Sequence, residues 1–227
     1  MNTGGYSSST VTTVGAFGGI LLGVFAVVFV LGLLIMFFVI VVVANRAEPD
    51  PRGLRPFTVY LFGMSFLMLN LAFEGTVLIV MSLLSFMGPH GLPIADSVAR
   101  QCVVGGIIVI IAGATLRYHL KRALLIARGD PTVDGPNARI LHTYVSIVSF
   151  NYFLGLIVIL GVAIYFVFQL IGPGIFGGGT RLSTVQDLLD AAYVMLASGG
   201  IVVTHSRLAP NALRFGKPFL ASTATTS

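Results

Sequence analysis

Glu74 is the one acid inside LNLAFEGTVLIVM, residues 69–81, a run that is otherwise apolar apart from Asn70 and Thr76. An acid at the centre of a membrane helix costs about 3 kcal/mol on insertion scales, and such residues usually face a bundle interior. A carboxyl there can exchange a proton, hold a cation or contact a ligand. As the neutral acid it can also hydrogen-bond Asn70 one turn earlier, Asn151, or a helix of another subunit, and so fix packing. His119 and His205 are a second candidate set. Two neutral imidazoles can ligate a haem iron or a metal, but each also sits beside Arg or Lys, where contact with lipid headgroups accounts for it equally well. His90 and His142 have no evident partner. Asp187 and Asp190 read as acids at the start of a helix, where they suit the dipole.

No catalytic set accompanies these residues. There is no HExxH, no nucleotide fingerprint and no Ser-His-Asp order at plausible depth. GPGIFGGGT, 172–180, lacks the Lys-Ser/Thr of a phosphate loop. The single cysteine, Cys102, excludes an internal disulfide framework and any multi-cysteine metal or iron–sulfur site. The expected chain is not an enzyme and needs no cofactor beyond structural lipid.

The elements that position these residues follow from composition. Of 227 residues, 56% are hydrophobic and 9% charged, with a mean hydropathy of +0.97; a soluble domain carries about 25% charged residues. The expected class is an all-α, polytopic membrane protein with five transmembrane helices. The spans read as residues 15–44, 57–87, 97–118, 141–171 and 185–205. Three are near 30 residues, longer than the ~20 that hydrocarbon requires, so they must tilt or protrude. The first follows an outer N-terminus, 1–14, with no basic residue and is too long for a cleavable signal. Its Gly15, Gly19 and Gly23, four apart, give a small-residue stripe for close helix packing.

Eleven of the 13 Lys and Arg residues fall on one side if the N-terminus is outside, and only Arg100 and Arg181 on the other. That bias predicts an N-out, C-in protein of a bacterial inner membrane, with a cytoplasmic tail at 206–227. It also removes nucleic acid as the meaning of a pI near 9.7. The longest cytoplasmic connection, 119–138, opens with HLKRALLIAR, which reads as a helical extension of the third span. Arg117, Lys121, Arg122 and Arg128 then lie among leucines in a pattern that suits the headgroups of anionic lipids.

The chain repeats itself weakly. A shift of 84 places Arg55 on Arg139, Tyr60 on Tyr144, Ser65-Phe66 on Ser149-Phe150 and Gly88-Pro89 on Gly172-Pro173. A shift of 86 places Ser97 on Ser183, Gly113 on Gly199 and His119 on His205. The expected architecture is a lone first helix followed by two hairpins in tandem, 57–118 and 139–205. Here the chain resembles a bacterial membrane domain of unknown function built from tandem two-helix units. In that family Arg-x4-Tyr opens the first helix, as at Arg55 and Tyr60 and at Arg139 and Tyr144. A basic segment with a histidine closes the second, as at His119-Leu-Lys-Arg and His205-Ser-Arg. The aromatic residues expected just after the histidine are absent in both copies. The resemblance covers about 55–207 and implies no activity. Glu74 falls on Val158 and Asn70 on Leu154, while Asn151 and Tyr152 fall on Leu67 and Met68. The polar residues within the membrane are therefore where the copies differ. The functional expectation is an accessory or assembly subunit of a larger complex, such as a respiratory or photosynthetic one, with other membrane subunits as partners. The alternatives are a proton- or cation-coupled transporter using Glu74 and a haem-carrying subunit.

Overall fold

The computed structural model describes residues 31–32, 34–39, 41–42, 50, 53–85, 95–129, 135–172 and 180–209. The fold is all-α, with no strand among the described residues. Helix α1 holds the helical residues between 31 and 42. Four long helices follow: α2 (Arg55–Ser85), α3 (Ala95–Arg128), α4 (Pro136–Ile171) and α5 (Arg181–Ser206). These four are long and apolar enough to cross a membrane, as expected of a multi-pass membrane protein. Gly15, Gly19, Gly23, Gly88-Pro89 and Pro173 lie outside the described residues, as do the far ends of both tails.

Local chemistry sets the helix starts. The backbone N–H of Arg55 donates to the Asp50 carboxylate at 3.0 Å. Pro136 opens α4, where its missing N–H costs nothing. Thr180 caps α5, its hydroxyl accepting from the Ser183 N–H at 3.2 Å. Helices α4 and α5 therefore begin ahead of the apolar runs at 141 and 185. Helix α3 continues unbroken to Arg128, so the first half of the connection expected over 119–138 is helical. Asp187 and Asp190 correct an expectation. Helix α5 begins at Arg181 with no acid in its first turn, so both lie beyond the turn where a helix dipole acts.

Helix α2 packs chiefly on α3, and α4 chiefly on α5; the two pairs meet over a smaller area. That meeting place lies at the end of the bundle where α2 and α4 begin and α3 and α5 finish, called here the basic end. Phe62, Phe66, Ala123, Ala127, Ile140, Tyr144, Val145 and Val148 form its core, and Phe37 and Val41 of α1 join it. Beyond Tyr152, α4 buries no residue. Away from the core, each pair is held by a buried stripe with a seven-residue period. On α3 the stripe is Val98, Gly105 and Ala112; on α5 it is Thr184, Ala191, Ser198 and His205. This is the spacing of a left-handed helix pair, with small side chains admitting close approach. Helices α2 and α3 approach closely where Gly75 of α2 faces Gly105 of α3. A Cβ on Gly105 would lie 2.8 Å from the Gly75 carbonyl oxygen.

Candidate functional site

Histidine and tyrosine meet in both helix pairs. Tyr60 on α2 stands edge-on to His119 on α3, ring centroids 5.8 Å apart. Tyr144 on α4 meets His205 on α5 with centroids 5.9 Å apart. Each histidine also turns Nδ1 to the carbonyl one turn earlier: His119 to Thr115 at 2.8 Å and His205 to Ile201 at 3.0 Å. A carbonyl oxygen only accepts, so Nδ1 carries the proton in both. Nε2 of neutral His205 is then an acceptor, and the Tyr144 hydroxyl donates to it at 3.3 Å. The copies differ in depth. Tyr144 is 1% exposed in the core, whereas Tyr60 is 48% exposed and stacks on Phe57. Nε2 of His205 is the nitrogen a haem iron would need, and Tyr144 already occupies it. Among the described residues no three His, Cys, Asp or Glu side chains come together.

A second polar group bridges the helix pairs. Asn151 of α4 donates to the Asn70 side-chain oxygen on α2 at 3.1 Å, and the Asn70 amide donates to the Phe66 carbonyl at 2.8 Å. Both asparagines are buried. The two residues that the repeat makes inequivalent are thus two halves of one contact. Tyr152, next along α4, is buried with its ring edge-on to Phe73 at 5.2 Å. Among the described residues its hydroxyl finds no hydrogen-bond partner. Replacing Asn151 by leucine is expected to lower stability by ~0.6–2 kcal/mol. Asn70→Leu should act similarly, and the double variant should recover most of the loss, because Asn151→Leu leaves the Asn70 side-chain oxygen without its donor and Asn70→Leu leaves the Asn151 amide without its acceptor. Thermal unfolding of the four proteins in detergent measures this; additive losses would contradict the pairing.

Glu74 takes one of the two directions that the sequence leaves open. Its side chain is exposed on the outer face of α2, not turned into the bundle, and it makes no hydrogen bond among the described residues. It shares that face with Phe57, Tyr60, Leu71 and Met81, all more than 40% exposed. With Glu74 included, their separations of 3, 11, 3 and 7 residues are one, three, one and two helical steps of three or four, so these positions lie along one side of the helix. Glu74 is 19 residues from the start of α2 and 11 from its end. It therefore lies about 28 Å and 16 Å from the two ends of the helix, within the apolar length.

At the basic end, Arg117, Lys121 and Arg128 line a shallow concavity of about 360 Å³ with Leu120, Leu124 and Leu125. Arg122, one residue on from Lys121, is turned about 100° around the helix and does not line it. Comparison with family models, curated proteins and solved structures finds no match. The sequence reading missed Tyr144, Tyr152, Gly75 and Gly105 as participants. A signal existed for the first, since a tyrosine and a histidine each recur between the two copies.

Proposed function

We propose that the chain is a non-catalytic integral subunit, with an accessory or assembly role in a larger complex of a bacterial inner membrane. In this reading it crosses five times, as a lone helix and two tandem hairpins. The N-terminus lies outside and the basic end in the cytoplasm. The matching helix pairs and the recurring Tyr–His contacts support the tandem arrangement.

The observation that carries the proposal is the outward Glu74 on an apolar ridge. Residues 14–44 contain no side-chain oxygen or nitrogen, so the chain's own first span offers this carboxyl no hydrogen bond. Facing acyl chains, Glu74 is a net cost. Facing a polar side chain of a neighbouring subunit's helix, it becomes a contact that also sets register. Structural lipid suits the groove of about 430 Å³ between α4 and α5, lined by Leu156, Ala163, Leu188, Ala192, Met195 and Leu196. The test is gentle purification of the tagged protein from native membranes, with mass spectrometry of what accompanies it. Partner subunits in fixed stoichiometry are expected, and Glu74→Leu should reduce them at least tenfold. A chain that is always isolated alone would refute the reading.

A second reading is a proton- or cation-coupled flux through the Glu74 carboxyl; the buried Tyr152 hydroxyl, without a hydrogen-bond partner among the described residues, supplies a second polar group within the bundle. It requires that Glu74→Gln abolish a pH-driven flux in vesicles. Unchanged flux removes it.

A further inference from the structure

We propose that the exposed face of α3 at the basic end is a binding site for the headgroup of an anionic phospholipid. This inference is independent of the subunit reading and of Glu74.

The last turns of α3 have two opposed faces. Ala123 and Ala127 are buried in the core. On the other side Arg117, Lys121, Leu125 and Arg128 are exposed, Leu125 at 62%. They fall at intervals of four, four and three, so cations and leucines share one stripe. The concavity of about 360 Å³ is the space between these side chains. Helix α3 carries no acid after Asp96. None of Arg117, Lys121, Arg122 and Arg128 makes an ion pair or hydrogen bond among the described residues. Like charges spaced four apart on a helix repel, so the stripe is completed by an external anion.

The leucines identify the form that anion takes. A free phosphate would satisfy the cations and leave Leu120, Leu124 and Leu125 against water. A phospholipid satisfies both: its phosphate meets the Arg and Lys groups while its glycerol and upper acyl carbons cover the leucines. The position agrees, because the apolar run of α3 ends at Leu116 and the stripe begins at Arg117, the change in composition expected where a span reaches lipid headgroups. Arginine adds a planar, two-pronged donor that matches a phosphate.

The test reconstitutes the full chain in phosphatidylcholine vesicles doped with spin-labelled phosphatidylglycerol or spin-labelled phosphatidylcholine. The immobilised fraction of each label is then compared. The wild type is expected to hold the anionic label in preference. Each cation of the stripe contributes roughly fivefold, so the combined R117Q, K121Q and R128Q variant should lose the preference. K121Q alone should weaken it about fivefold, and R122Q, equal to K121Q in charge change but off the concavity, should keep it within twofold. R117K with R128K should retain most of it and shows that the exposed face tolerates substitution. Three results would overturn the proposal: no preference in the wild type, equal losses in R122Q and K121Q, or complete displacement of the lipid by inorganic phosphate at matched ionic strength. The first two leave general charge attraction, and the third a free-anion site.

Discussion

Replacing Gly105 by alanine is expected to destabilise the protein by about 1–3 kcal/mol, while the same change at Gly106 should be neutral or slightly stabilising. The two residues are neighbours on α3, and their surroundings are opposite. A Cβ on Gly105 would come within 2.8 Å of the Gly75 carbonyl oxygen and 2.8 Å of Ile79 Cγ1. The oxygen belongs to the backbone of α2, so relief requires the helices to move apart. At Gly106 a Cβ meets nothing within 4 Å. There, alanine gains the helix preference that glycine lacks, up to about 1 kcal/mol. Gly75→Ala should resemble Gly105→Ala, since its Cβ would lie 2.9 Å from Val109 Cγ2 and 3.0 Å from the Gly105 oxygen. The single half-buried thiol, Cys102, offers a readout on α3 through its labelling by a maleimide dye during heating. Equal midpoints for the Gly105 and Gly106 variants would contradict the close approach of α2 and α3.

Tyr144 and Tyr60 hold equivalent places in the repeat and should respond very differently to truncation. Tyr144→Ala empties the centre of the core, where the ring packs on Phe62 with centroids 4.9 Å apart, and should cost ~3–5 kcal/mol. Tyr60→Ala removes a ring already half exposed and should cost less than half as much. Tyr144→Phe keeps the packing but leaves the buried His205 Nε2 without its donor, an expected loss of ~1–3 kcal/mol. Tyr60→Phe removes no such bond. Thermal midpoints of the four variants measure the contrast. A Tyr60 variant as damaged as its Tyr144 counterpart would show that the two pairs are energetically alike.

These contrasts mark how far the sequence could be read. The spans were legible because a bilayer requires long apolar runs, and four of the expected five appear as long apolar helices. Their starts were less legible, because Pro136 and Thr180 open helices ahead of the hydrophobic runs. The helical nature of residues 119–128 was legible in HLKRALLIAR, where cations and leucines recur with helical spacing. Glu74 stood out as an acid, but its direction did not. Helix α2 is apolar around its whole circumference, so periodicity does not say which face turns inward. The Asn70–Asn151 bond was hidden for a different reason. The residues lie 81 apart, a separation matching neither repeat shift, so only the packing of one helix pair on the other joins them. The Tyr–His contacts were half visible, since both members recur, but under two different shifts.

The central claim, that the Glu74 face of α2 docks a partner protein, is tested most directly by photocrosslinking in native membranes. A photoreactive phenylalanine analogue replaces Leu71 or Met81, which flank Glu74 on the exposed ridge, and in a control replaces Tyr165 on the exposed part of α4. The account predicts discrete crosslinks to a partner subunit from both α2 positions, weakened when Glu74 is replaced by leucine. Crosslinks to lipid alone from Leu71 and Met81 would contradict it.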